Sequence, residues 1–262
     1  MNAHKMVMLA TAASLVLVFA AGCSKVSGRE SEKGPQTCVM ALFDLSGTTK
    51  DETIRKHYLE EYGAVLKACH GGEALVGEAI TGNPLAEDGF PINMTLPVYS
   101  PLTINQDDYS RALEKAKKSL EEQASALVLN HPPTKRTDIF NALLLAEKIL
   151  DGDQFGKVPN KVLVIFSDMR QDSPDCNFDK IKITSERTQR IINELKTKGQ
   201  LPNLTGVKVW VAGAGVSEGP PLSADTILAI QRFWLAYFKA CGADLTPERY
   251  APALINFALA PV

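Results

Sequence analysis

Five residues of this chain have side chains and spacing suited to holding a hard cation. Asp44, Ser46 and Thr48 stand at alternate positions in the run Asp44-Leu45-Ser46-Gly47-Thr48, and Thr137 and Asp168 lie far downstream. Every donor is an oxygen, and two of the five are carboxylates. That set suits a hard divalent ion such as Mg²⁺, with Mn²⁺ or Ca²⁺ as alternatives. Alternate spacing lets three oxygens turn from one loop toward a single point. Each piece alone is common, since Asp-x-Ser-x-Thr arises by chance and a Thr before a helix is ordinarily a cap. Their order, and the elements they follow, give the set its meaning.

Those elements can be read from apolar periodicity. Residues 39–43 form a short apolar run that breaks at Asp44, as a buried strand entering a polar loop does. Ile54, Tyr58, Tyr62, Val65, Leu66 and Cys69 make a helical stripe, with Thr49 and Glu52 spaced as a capping box. Residues 75–80 and 94–99 are strand candidates. Residues 107–129 predict a long amphipathic helix carrying Leu113, Ala116, Leu120, Ala124 and Leu127 on one face. Thr137 opens a further helix to about Leu150. Residues 162–166 are five consecutive apolar residues, the clearest strand, ending at Ser167-Asp168. A helix over 184–198, a strand over 207–212, a helix over 225–240 and a last strand over 253–259 complete the pattern. Gly213-Ala214-Gly215 reads as a tight turn, because no third glycine completes a dinucleotide fingerprint. Alternating buried strands and helices predict an α/β, three-layer, Rossmann-like fold, a mostly parallel sheet with helices on both faces. Loops that leave parallel strands collect at the carboxyl edge, where such folds bind ligands. Asp44 and Asp168 both follow strands to that edge.

The N-terminus reads as an export signal. Lys5 precedes an apolar run over residues 6–21, too short for a comfortable membrane span, and the run ends Ala20-Ala21-Gly22-Cys23. That order resembles a bacterial lipobox, although Ala20 stands where leucine is usual, and it implies lipidation of Cys23. The expected organisation is a signal peptide at 1–22, a lipidated terminus and tether at 23–36, and a domain at 37–262. Ser24 after the cysteine resembles outer-membrane sorting, facing the periplasm, if the cell is Gram-negative. Against 30 acidic residues stand 28 lysines and arginines, a formal net charge of −2. Removing residues 1–22 takes away Lys5 alone and moves it to −3. There is no basic excess of the kind a nucleic-acid partner requires. Export makes disulfides feasible among Cys38, Cys69, Cys176 and Cys241. Strand starts and the ends of following helices share the amino edge, so Cys38–Cys69 is the favoured pair, with Cys176 free.

Taken together, Asp44, Ser46, Thr48, Thr137 and Asp168 resemble the metal-ion-dependent adhesion site of the von Willebrand A family, which includes integrin I domains. The resemblance spans about residues 37–260. It implies direct ligation by the Ser46 and Thr48 hydroxyls. It also implies that Thr137 ligates directly or through water, that the two aspartates act largely through water, and that one position stays open for a carboxylate of a protein partner. That is binding chemistry without a nucleophile, so no enzyme activity is expected. A departure is that only three residues follow Leu259, which puts in doubt switching by a sliding last helix. Two alternatives remain. Residues 42–48 and 167–172 also resemble motifs of haloacid-dehalogenase phosphohydrolases, with Asp44 as nucleophile, but Ser46 occupies the general-acid position and cannot protonate a leaving group near neutral pH. The other alternative is an interaction domain that holds no metal.

Overall fold

The computed structural model describes residues 34–86 and 91–259. The expected signal peptide, Cys23 and the tether as far as Lys33 lie outside these residues. The domain is a compact unit beginning at Gly34.

Strand β1 (Thr37–Asp44) is buried along its whole length, which explains why its sequence is continuously apolar rather than alternating. It pairs in parallel with β2 (Ala74–Ile80) on one side and with β4 (Asn160–Phe166) on the other, and β4 pairs in parallel with β5 (Val207–Ala212). Strand β3 (Ile92–Thr95) closes the far edge as the antiparallel member, giving the order β3-β2-β1-β4-β5. It stops earlier than its apolar pattern suggests because Pro97 has no N–H for a continuing ladder. The order reverses between β1 and β4, so the two aspartates leave the sheet at its switch point.

Side chains on β1 alternate between two cores. Val39, Ala41 and Phe43 pack beneath α1 (Glu52–Lys67) and α2 (Gln106–Asn130). Cys38, Met40 and Leu42 face α3 (Ile139–Asp151), α4 (Ser185–Thr197) and α5 (Ala224–Ala240). The three layers expected from the sequence are therefore present. Among the described residues no helix is long and apolar enough to cross a membrane.

Three expectations are corrected. The four cysteines among the described residues are free and buried, and Cys38 and Cys69 belong to opposite faces of the sheet, so the strand's own alternation keeps the favoured pair apart. Residues 253–259 form no strand. The chain pairs with β5 at two isolated bridges, Lys208 with Asp244 and Val211 with Tyr250, separated by a short turn at Pro247–Arg249. Beyond them the Leu254 amide donates to Glu61 Oε2 at 2.6 Å and the Pro252 carbonyl lies 2.9 Å from His57 Nε2. The Leu254 amide is thus engaged by α1, while the Pro252 carbonyl also accepts the Gly213 amide at 2.9 Å, and Phe257 packs on Trp210 at 5.2 Å. Finally, Asp51 rather than Thr49 caps α1, accepting from the Thr53 amide at 2.8 Å.

Candidate metal site at the carboxyl edge

Strand β1 delivers Asp44 to the edge fully buried. Its Oδ1 accepts the Ser46 amide at 3.0 Å and its Oδ2 accepts the Ser167 hydroxyl at 2.6 Å. The turn that follows is tied down by Thr49, whose hydroxyl donates to the Asp44 carbonyl at 2.7 Å. Thr49 is thus a brace of the loop. The loop brings Ser46 Oγ and Thr48 Oγ1 within 3.1 Å of each other, and Thr48 is half-buried, so this side of the site opens to solvent.

Asp168, one residue past Ser167, is buried beside Asp44. One oxygen accepts the Arg170 amide at 2.9 Å; the other, Oδ2, is buried with no partner. Burial, followed by the Asp44 charge, pushes its pKa up to about 7 against the opposing pull of the Arg170 amide, the Thr48 hydroxyl and the Arg170 guanidinium. The Thr48 and Ser46 hydroxyls share one hydrogen bond in which either can donate. Burial likewise raises Asp44, partly offset by the Ser167 and Ser46 bonds and by Arg55.

Asp44, Ser46, Thr48 and Asp168 therefore converge. Thr137 arrives by another route. It is buried, and its backbone exchanges two hydrogen bonds with Asp172, at 3.1 and 2.8 Å. Asp138, the next residue, is the cap of α3, accepting from the Asn141 amide, so Thr137 is not spent on capping. Loop residue Thr134 donates its amide to the Leu45 carbonyl at 3.0 Å, which holds this segment against the Asp44–Thr48 loop.

Several residues that support the site carry no sequence signal for that role. Gln171 is buried and its Oε1 accepts the Ile139 and Phe140 amides at 2.8 and 3.3 Å, joining the Asp168 loop to the start of α3. Met169 has a left-handed backbone (φ 64°), and the Trp234 indole N–H donates to its carbonyl at 2.9 Å. Arg55 is a buried cation whose Nη1 donates to the Val128 and His131 carbonyls at 2.9 and 2.8 Å. Its neighbours in sequence belong to the apolar stripe of α1, so nothing in the pattern distinguished it from a solvated arginine. Tyr58 forms part of the floor, with its hydroxyl buried and unpartnered.

Gly213 ends β5 with φ 90°, and a Cβ there would lie 2.6 Å from a Tyr58 ring carbon and 3.2 Å from the Ser167 carbonyl. The expected tight turn is thus also a close approach beneath the site. Gly213→Ala is expected to cost about 1–3 kcal/mol, from positive φ and overpacking together. Chemical denaturation checks this, and a cost indistinguishable from zero would mean that Tyr58 moves freely.

Among the described residues no three carboxylate, thiol or imidazole groups gather as a metal cluster. The donor set consists of two carboxylates and hydroxyls, and an unpartnered buried carboxylate oxygen is what a cation would satisfy. The residues fit a hard divalent ion.

No family model matches the chain, and no curated protein matches it. Among solved structures it is similar to the pilus adhesin SpaC from Lactobacillus rhamnosus GG in its open conformation, at 13% identity over 84% of this chain and 28% of that one, TM-score 0.43. It is similar to the manganese-loaded TRAP protein of Plasmodium vivax, at 12% identity over 84% of this chain and 69% of that one, TM-score 0.42. A third similar structure is a von Willebrand factor type A protein from Catenulispora acidiphila, at 13% identity over 79% of this chain and 43% of that one, TM-score 0.33. The chain spans less than a third of the length of SpaC.

Proposed function

We propose that this is an exported binding protein, lipid-anchored in the cell envelope through Cys23, whose domain holds a divalent cation and uses it to engage an acidic group of a protein partner. The observation that carries the reading is the pair of buried aspartates, one with an oxygen that no group among the described residues satisfies. Two carboxylates in one pit repel each other, and an unpaired buried charge is costly. A divalent ion offsets both costs. The Ser46 and Thr48 hydroxyls, Thr137 and the two carboxylates would hold it, and the half-buried Thr48 side leaves room for an incoming carboxylate.

Phosphohydrolase chemistry fits less well. A nucleophilic Asp44 would need a free oxygen, yet both of its oxygens accept hydrogen bonds from Ser46 and Ser167. The Ser46 hydroxyl, in the general-acid position, sits against Thr48.

Calorimetry of the protein with Mg²⁺ and Mn²⁺ is expected to give saturable binding that Asp44→Ala abolishes. Absence of binding by the wild-type protein would overturn the metal reading, and phosphate release from a generic phosphomonoester would overturn the non-enzymatic one.

A further inference from the structure

Opposite the metal edge the domain carries a surface that packing within the domain does not explain. Between β3 and α2 the chain exposes three apolar side chains close together in sequence, Val98 at 65%, Tyr99 at 41% and Leu102 at 83%. Isolated exposed apolar residues are ordinary, whereas a cluster on one short loop marks an interaction site. The register fixes where this loop lies. Cys38 pairs with Ala74, and Ala74 with Thr95, so the loop leaves β3 at the amino edge of the sheet. The described chain begins at that same edge, where the Asn160 amide at the start of β4 donates to the Gln36 carbonyl.

The amino edge is also where the helices end that return the chain to the parallel strands. Their last turns carry Lys67, Lys148, Lys196 and Lys239, and the second residues of β4 and β5, Lys161 and Lys208, lie close by, Lys161 being paired with Asp151. Helix dipoles favour lysine at such ends, which accounts for some of this charge but not for an exposed leucine beside it. Lys67, Lys115, Lys117 and Lys118, with Glu114 and Glu121 among them, further line a cleft between α1 and α2. Two acids, Asp107 and Asp108, open α2 nearby, and Asp108 is paired with Arg111.

Apolar side chains beside lysines, on the edge where the chain enters the domain, match one occupant. We infer that residues 98–102 and the neighbouring lysines seat the domain on an anionic phospholipid bilayer, the apolar loop entering the interface and the lysines meeting headgroup phosphates. The inference rests on the lipid anchor of the proposed function. Ten residues separate Cys23 from Gly34, a span of at most about 40 Å, so an anchored domain is confined near the membrane. Seated this way, the eight residues of β1, about 26 Å, hold the Asp44–Asp168 pit away from the bilayer and open to a partner.

The test uses the lipidated protein in vesicles of phosphatidylglycerol and phosphatidylcholine with brominated acyl chains. Both native tryptophans, Trp210 and Trp234, are buried, so an introduced exposed indole can be followed. Leu102→Trp is expected to be quenched at least roughly twofold more than Glu218→Trp, which sits on the metal edge, because only the former would reach the acyl boundary. The difference is expected to shrink when phosphatidylglycerol is omitted or salt is raised. Protein that floats with the vesicles but quenches equally at the two positions overturns the seating and leaves the anchor standing. Quenching of Leu102→Trp by anionic vesicles in a chain without lipid upholds the seating independently of the anchor. Neither flotation nor quenching overturns both.

Discussion

Trp234→Ala is expected to cost about 3–5 kcal/mol of folding stability, the range for deleting a large buried aromatic. Trp234 is fully buried on α5 and lies among Phe140, Phe178, Phe233, Tyr237 and Phe238, with ring centroids 5.2–6.0 Å away. Truncation empties the centre of that aromatic cluster and strips the Met169 carbonyl of its donor. Against a typical total of about 5–15 kcal/mol, the loss brings the domain close to its unfolding threshold. Trp234→Phe separates the two effects. It keeps most of the apolar volume but removes the indole N–H, and is expected to cost about 1–3 kcal/mol. Because Met169 adjoins Asp168 and sits at positive φ, this variant is also expected to weaken Mg²⁺ binding. Urea denaturation and calorimetry on both variants check these expectations. An alanine variant that loses less than about 1 kcal/mol would mean that the aromatic cluster closes over the gap.

Asp168→Asn is expected to act in opposite directions with and without metal. In the metal-free protein the folded pKa of Asp168 is about 7, well above the value of an unfolded aspartate. Between those two values the native state holds a proton that the unfolded chain has released. Stability therefore falls as pH rises from about 4 to about 7, and levels off above that. The asparagine cannot ionise, so it removes this slope. It also removes one of two facing negative charges while leaving an oxygen for the Arg170 amide. Metal-free, at pH 7.5, the variant is expected to be more stable than wild type by an amount on the order of 1–2 kcal/mol. With Mg²⁺ the order reverses. A ligand at 100 times its dissociation constant stabilises the wild type by about 2.7 kcal/mol, and the variant loses that gain. Thermal melts at pH 5 and 7.5, with Mg²⁺ or with chelator, give the four values needed. A variant less stable than wild type under all four conditions would mean that the carboxylate is structural and that no cation compensates the pair.

The sequence by itself determined the layers and the edge. Continuous apolar runs at β1 and β4 and the 3.6-residue stripes of α1, α2, α3 and α5 are burial patterns, and burial sets these elements whatever their neighbours. Two parallel strands ending in Asp44 and Ser167-Asp168 then bring those residues to one edge, because side-chain period and crossover handedness leave no other solution. What the tertiary structure decided is everything that depends on who meets whom across the chain. Residues 253–259 carry a strand-like pattern, yet Glu61 of α1 takes the Leu254 amide and Phe257 packs on Trp210. Cys38 and Cys69 approach the same end of the sheet but on opposite faces, a distinction of one residue in register. Gln171 bonds the start of α3 across 32 residues, Trp234 bonds Met169 across 65, and Arg55 bonds the Val128 and His131 carbonyls across 73 and 76, all with partners that no local pattern specifies. The empty side of Asp168 Oδ2 is likewise a property of packing: a carboxylate's type is written in the chain, but the absence of a partner for one of its oxygens exists only once every neighbouring side chain has been placed.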